Sequence, residues 1–306
     1  MSQNPTIKAH FALFFVNTLY GASHVVAKDV LGTYLEPSVF ILFRVTGATV
    51  LFWSLKMLFN RQKVEKKDFL LLALCGLFGV ALNQLFFFYG LRYSSAINSG
   101  IIMAANPIMV LILSMLILRE GSSLLRIGGI LIGATGVVLL TLQNSTSSTD
   151  ASWGDFFLFV NALSYAFYLI LAKPLMKKYS PLTVITYVFT FGLAFVLLFP
   201  PTITNFLITP FETFTQGVWL KIIYVIVGVT FLTYLLTIYG LKYLSPAVSS
   251  VYIYIQPIMV ILFAFLFAAT GISEDQTHSV TFIKILLMIM IFSGVYLTTR
   301  ESRYKQ

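Results

Sequence analysis

The stretch from Tyr89 to Val110 reads YGLRYSSAINSGIIMAANPIMV, and the stretch from Tyr239 to Val260 reads YGLKYLSPAVSSVYIYIQPIMV. At a constant offset of 150, ten of the 22 positions are identical. They are Tyr89, Gly90, Leu91, Tyr93, Ser95, Ser99, Pro107, Ile108, Met109 and Val110 with their counterparts, and Arg92 matches Lys242 in charge. A common apolar bias aligns Leu with Leu. It does not align two Tyr, a Gly, two Ser and a Pro in one register. The chain reads as a duplication, which must be settled before other fold reasoning.

Working outward, the composition sets the medium. Hydrophobic residues make up 58% of the chain and charged residues 10%, with a mean hydropathy of +0.89. A soluble protein carries about a quarter charged residues. The apolar runs are long and continuous, whereas membrane barrels alternate apolar and polar residues. Helices are therefore the expected spanning element. Ten spans fit, at about 10–30, 37–59, 69–91, 95–118, 124–142, 154–173, 182–200, 218–240, 246–269 and 280–299. The net charge of +9 is read as loop charge of a membrane protein, not as a nucleic-acid surface. The one cysteine, Cys75, excludes an intramolecular disulfide.

Orientation follows from Lys and Arg. With the N-terminus cytoplasmic, fifteen of them fall in inside segments, four fall outside (Lys28, Arg92, Lys221 and Lys284), and Arg44 lies within a span. That bias places both termini in the cytoplasm and the protein in the cell membrane as a multi-pass chain. The 201–217 connection, with Phe206, Phe211 and Phe214, is expected along the membrane interface.

The first and sixth spans also match, through Phe15-Val16-Asn17 and Phe159-Val160-Asn161, and the fifth and tenth through Gly136-Val137 and Gly294-Val295. The first repeat is then 1–143, the joining loop 144–153 and the second repeat 154–306. Five spans per repeat is odd, so the second copy crosses in the opposite sense. The expected fold is an all-α integral membrane protein of ten transmembrane helices in two inverted five-helix repeats, an architecture of secondary transporters with the solute site between the repeats.

The same residues carry a family resemblance. YGLRYSSA and YGLKYLSPA, each leading into a span with a central Pro, resemble the fourth and ninth helices of the drug/metabolite transporter superfamily in its EamA-like ten-helix branch. Leu19 to Lys28 (LYGASHVVAK) resembles that family's first-helix motif, Phe40 to Arg44 its second-helix Phe-x-x-x-Arg pattern, and Arg119-Glu120 the pair that closes its fourth helix. The resemblance covers 10–299. It implies export of small metabolites, often amino acids or drugs, through a cavity between the first four helices of each half. Tyr20 stands where the family usually has Trp, and Thr270 stands opposite Glu120.

Polar residues recur at helical spacing. Asn17, Tyr20, Gly21 and His24 share one face of the first span. Asn161, Ser164, Tyr165 and Tyr168 do so in the sixth. Ser95, Asn98, Ser99 and Asn106 line the fourth, and Ser245, Ser249, Tyr252 and Gln256 the ninth. Asn83 and Gln84 sit in the third span, and Thr233 and Tyr234 at the matching place in the eighth. One reading is a shared substrate-binding cavity, with Tyr supplying an apolar wall that also hydrogen-bonds. The other is helix-to-helix glue, at about 0.6 kcal/mol per bond. The set of six faces favours the cavity.

Pro107 and Pro257 fall mid-span, where proline frees a carbonyl one turn earlier and permits bending during gating. Asn106 and Gln256, just before them, are placed to bind solute from matching positions. Arg44 must have a partner at that depth, either a substrate carboxylate or helix-end carbonyls. No Asp or Glu is assigned to a span interior, Asp155 being counted among loop carboxylates. That favours facilitated movement of an amino acid or similar polar, partly apolar solute, with proton-coupled efflux as the alternative. A Gly129/Gly133 face offers a homodimer seam or internal packing. The three His are scattered and no nucleophile or metal-ligand constellation is present, so neither an enzyme, a metal site nor a cofactor is expected. The expected partners are the solute and the lipid bilayer. A membrane sensor is the remaining alternative.

Overall fold

The computed structural model describes residues 5–117, 123–145, 149–243, 252–275 and 277–300. Among the described residues it is helical, with a single isolated bridge between Leu31 and Leu35. The helices are α1 Pro5–Val30, α2 Pro37–Phe59, α3 Phe69–Gly76, α4 Leu82–Tyr93, α5 Ala96–Met103, α6 Asn106–Ile117, α7 Leu124–Ser145 and α8 Thr149–Lys178. There follow α9 Pro181–Leu198, α10 Pro200–Ile208, α11 Gln216–Ile223, α12 Thr233–Tyr243, α13 Ile255–Thr270 and α14 Phe282–Arg300. Six helical runs are long and apolar enough to cross a membrane: Pro37–Phe59, Lys66–Tyr93, Ala96–Ile117, Asp150–Lys178, Pro181–Leu198 and Gln216–Thr237. Three shorter apolar helices are Ile127–Leu140, Ile255–Thr270 and Phe282–Gly294.

Local chemistry sets the helix starts. Pro37 and Pro181 occupy the first helical turn, where a missing N–H costs nothing. Ser180 caps α9 by accepting the Thr183 N–H, and Ser95 caps α5 by accepting that of Asn98. Gly271 follows α13 at a φ of 68°, the left-handed end that glycine supplies. The third and eighth apolar runs are not plain α-helix. Leu77–Ala81 and Tyr224–Leu232 are π-helical. These insertions keep the chain helical while widening one turn, a feature often found at functional sites.

Several boundaries differ from those expected from sequence. The Ser/Thr-rich joining loop shortens, because α7 runs to Ser145 and α8 begins at Thr149. Asp150 lies in the first turn of α8, where a carboxylate suits the helix dipole. The fourth apolar run breaks: α5 ends at Met103 and α6 starts at Asn106. Pro107 thus falls in a first helical turn and kinks nothing. Pro257 is likewise in the first turn of α13, after a 3-10 turn at Tyr252–Tyr254. The 201–217 connection is partly helical, and Phe206, Phe211 and Phe214 form an aromatic cluster with Phe43 and Trp219.

The two copies pack through each other. α4 lies along α8, α1 runs against α12 and α13, α2 and α3 meet α9, and α7 pairs with α14. Lipid tails are as apolar as Leu, so close approach drives this packing. Glycines permit it. A Cβ on Gly90 would meet the Gly154 carbonyl oxygen at 2.9 Å, and one on Gly294 would strike the backbone of Gly129 and Gly133. The Gly129/Gly133 face is therefore occupied inside the chain, by α14.

Candidate functional site

The polar stripes turn inward. Asn17, His24, Arg44, Gln84, Asn98, Ser99, Asn106, Asn161, Ser164 and Gln256 are all buried, although each sits in an apolar run that has lipid available on its other faces. Many of them meet across the two copies.

Arg44 on α2 is the centre of one group. Its Nε donates to Thr230 Oγ1 at 2.6 Å, and Thr230 in turn donates to its own helix at Val225 O, 2.8 Å away. The π-helical turn makes this possible, since Val225 is five residues back. The guanidinium carbon lies 4.9 Å from the centre of the Phe88 ring, a stacked cation–π contact. The Tyr20 and Tyr234 hydroxyls lie within electrostatic reach of Arg44. Tyr20 Oη is 3.1 Å from Thr233 Oγ1. Tyr234 packs edge-on against Phe189. Tyr165 and Tyr168 complete the aromatic wall, with ring centres 6.0 Å apart.

His24 forms a second group. Its Nδ1 is 2.6 Å from Ser99 Oγ, and Ser99 donates its one proton to Ala96 O at 2.7 Å. His24 Nδ1 is then the donor in the first bond. The Phe87 ring stands edge-on to the imidazole at 5.2 Å. In a third group, Gln256 Nε2 donates to Asn17 Oδ1 at 2.8 Å, tying α13 to α1.

Other expected residues act as seams. Asn83 and Asn161 exchange side-chain amides for each other's carbonyls, at 3.4 and 2.6 Å. Ser164 donates to Phe78 O, a carbonyl of the first π-helical turn, at 2.7 Å. Tyr252 meets His10 at 2.6 Å, away from Arg44 and close to one end of α1. Ser245 and Ser249 lie outside the described residues, and the Pro107 side chain lies outside the described side chains.

Three amides remain without full partners among the described residues. Both polar atoms of Gln84 are buried with no hydrogen bond, as are Asn98 Oδ1 and Asn106 Oδ1. Such atoms are rare and call for an explanation.

Sequence reasoning passed over Thr230, Phe88 and Asp155. Thr230 sits at the position that Val80 holds in the first copy, a change from apolar to polar that the offset of 150 exposes. Phe88 gave no signal, being one of many aromatics. Asp155, read as a loop carboxylate, is only 1% exposed within α8 and accepts a hydrogen bond from Ser94 Oγ. Five apolar residues follow it directly, and Asp150 and Trp153 precede it, which made it look like the edge of the span.

Comparison with known proteins supplies the family. The model of the EamA-like transporter family matches residues 7–142 and again 152–300. A protein of Bacillus subtilis (strain 168) named "Uncharacterized transporter YyaM" is 27% identical over 291 residues, 90% of each chain. An Archaeoglobus fulgidus protein named "Uncharacterized transporter" is 24% identical over 301 residues, covering 96% of this chain and 98% of its own. A solved crystal structure aligns over 98% of both chains with a TM-score of 0.61 at 16% identity, a likeness of fold.

Proposed function

This chain belongs to the EamA-like transporter family, and from that premise we propose that it is a ten-span secondary transporter of two inverted repeats. It moves a small metabolite, an amino acid or similar polar, partly apolar solute, by alternating access through a pocket between the copies. The observation that carries this reading is the set of polar bonds made between copies: Arg44 to Thr230, Tyr20 to Thr233 and Asn17 to Gln256. Groups that only fastened helices would not need a cation with the Tyr20 and Tyr234 hydroxyls beside it.

The inverted arrangement is supported by exchanged neighbours. α1 packs on α12 and α13, while its counterpart α8 packs on α4, α5 and α6. Each copy thus embraces the other by the same elements. Ion pairs close both ends of this arrangement. Asp29 at the end of α1 pairs with Lys221 of α11, and Lys178 at the end of α8 pairs with Asp68 just before α3. Orientation with both termini cytoplasmic, in the cell membrane, rests on the Lys and Arg distribution.

Movement is facilitated, down the solute's own gradient. Proton-coupled efflux is the second reading, and the burial of Asp155 favours it, since a carboxylate out of water is the group that such antiporters protonate. Counterflow in proteoliposomes tests both. Labelled amino acids and sugars are offered from one side against unlabelled solute on the other. A carrier gives trans-stimulated, saturable uptake, lost when Asn106→Leu and Gln256→Leu are combined. Absence of trans-stimulation for every solute would remove the carrier reading. Flux that follows an imposed pH gradient, and stops following it in Asp155→Asn, would replace facilitation by proton coupling.

A further inference from the structure

The Arg44 group holds a charge that no described residue balances. Arg44 is 7% exposed, and its Nε is the nitrogen bonded to Thr230. Among the described residues its ion-pair partners number none, and its electrostatic neighbours are the Tyr20 and Tyr234 hydroxyls and the His24 ring, none of them an anion. A buried cation normally has an anion beside it, because taking a charge out of water is costly and is offset only by pairing. Among the described residues the two terminal guanidinium nitrogens also have no acceptor, and they form the edge that grips a carboxylate in a fork.

Gln84 lies at the same level. Phe40 of α2 and Phe88 of α4 touch, with ring centres 5.0 Å apart. Arg44 is one helical turn along α2 from Phe40, and Gln84 is one turn along α4 from Phe88, each in the direction that leads away from the Tyr93 and Pro37 ends. Residues four apart share a helix face. The guanidinium stacks on the Phe88 ring, and the amide with two unbonded atoms sits one helical turn along the same face of α4.

We propose that the transported solute carries a carboxylate, and that Arg44 and Gln84 hold it: the terminal guanidinium nitrogens by a forked pair of bonds, the Gln84 amide N–H by a third. The inference rests on the transporter reading for its word "transported", and on the site alone for the rest. One guanidinium matches a monoanion. A phosphate dianion would leave net negative charge in the interior, and a sugar or an amine would leave Arg44 uncompensated. The Gln84 side-chain oxygen is an unbonded acceptor, so an ammonium on the same solute is accommodated without being required.

The test separates binding from flux. Purified protein in detergent is heated with a panel of short and medium monocarboxylates, aliphatic and aromatic, with and without an α-amino group. Each is paired with its primary amide, and glucose and inorganic phosphate are included. At least one acid should raise the melting temperature while its amide does not. Arg44→Gln and Arg44→Lys should weaken that acid by about tenfold or more, the size of a lost bond to a charged group. Gln84→Leu guards against variants that merely unfold. It removes two unbonded polar atoms, so the ligand-free protein should melt no lower, yet the acid should lose much of its effect. The proposal fails if no acid exceeds its amide, or if the acid's effect survives in both Arg44→Gln and Gln84→Leu. If acids bind as stated but no counterflow is found, the carrier reading falls and the carboxylate site stands.

Discussion

The two π-helical turns occupy matching places in the two copies, since the offset of 150 carries Leu77–Ala81 onto Val227–Phe231, and their surroundings differ. In the second copy, Thr230 and Thr233 are rooted: each hydroxyl donates to a carbonyl of its own run, Val225 O or Val229 O. A rooted hydroxyl has its proton committed and its lone pairs fixed in direction, which makes it a rigid acceptor. Thr230 uses this to hold Arg44. In the first copy the position of Thr230 is Val80, which packs against Gly192, and the position of Tyr234 is Gln84, which has no hydrogen bond among the described residues. A duplicated scaffold thus carries divided chemistry. One copy positions the cation, and the other keeps uncommitted amides around it.

The comparison can be broken most severely at the glycines. Gly90 and Gly240 are equivalent by the same offset. A Cβ at Gly90 would meet backbone, the Gly154 oxygen at 2.9 Å and the Leu158 nitrogen at 3.0 Å. A Cβ at Gly240 would meet the Leu13 side chain first, its three nearest atoms all belonging to that side chain from 2.7 Å outward. Backbone cannot give way, and a leucine rotamer can. Gly90→Ala should cost about 3 kcal/mol, the upper part of the overpacking range, and Gly240→Ala about 1 kcal/mol. Melting curves of the two variants in one detergent check this. Equal losses would mean that the α4–α8 and α1–α12 seams are equally soft.

How much of this was legible beforehand varies with the kind of signal. The repeat could be read because Tyr89, Gly90 and Pro107 recur with Tyr239, Gly240 and Pro257, residues that an apolar bias does not align. The inward faces could be read because Asn17, His24, Asn98 and Gln256 are costly in lipid and therefore point to protein. The helix break before Pro107 was half legible: proline marked the place, but whether a helix bends or restarts depends on what the neighbours fill. The π turns were not legible, because their residues are ordinary apolar ones and the extra residue per turn goes with tertiary packing, on α8 and α9 for the first turn and on α1 and α2 for the second. Arg44 announced itself, whereas Thr230 did not, since a lone Thr in an apolar run usually bonds its own helix.

A smaller effect separates the rooted hydroxyl from the uncommitted amide. Thr230→Val removes the acceptor of Arg44 Nε and leaves a buried charged donor without a partner, so it should cost about 2 kcal/mol. Thr233→Val removes a bond between neutral hydroxyls, and about 1 kcal/mol is expected. Chemical or thermal unfolding of the two variants measures the difference. If Thr233→Val costs as much as Thr230→Val, the charge on Arg44 is being held by something other than that bond.

The smallest change in stability, and the most directional change in behaviour, belongs to the ion pairs at the ends. Asp29–Lys221 closes one end and Lys178–Asp68 the other, with the acid and base exchanged between the crossing helix and its neighbour. The second end is the more redundant. Lys178 also reaches Glu65 at 2.8 Å, Tyr179 donates to Asp68, and Ser180 N donates to Gln62. Lys178, with Lys67, holds the Glu65 carboxyl below its ordinary range. That contribution is present above the unfolded carboxylate value and is lost as pH falls through the lowered one. Both carboxylates are partly buried, Asp29 at 10% and Asp68 at 18% exposure, but Asn leaves an acceptor oxygen facing the lysine. Asp29→Asn should therefore cost about 1 kcal/mol or less, and Asp68→Asn should shift the melting temperature little. Each should instead bias which end opens. With Cys75→Ala and Asn106→Cys in the background, an impermeant thiol reagent applied from one side should label faster in Asp29→Asn. Applied from the other side, it should label faster in Asp68→Asn, by a smaller factor because Glu65 still holds Lys178. Adding Glu65→Gln, or lowering the pH below the carboxylate range, should remove that remainder. Labelling that rises from the same side in both variants would mean that the two ends do not work in opposition.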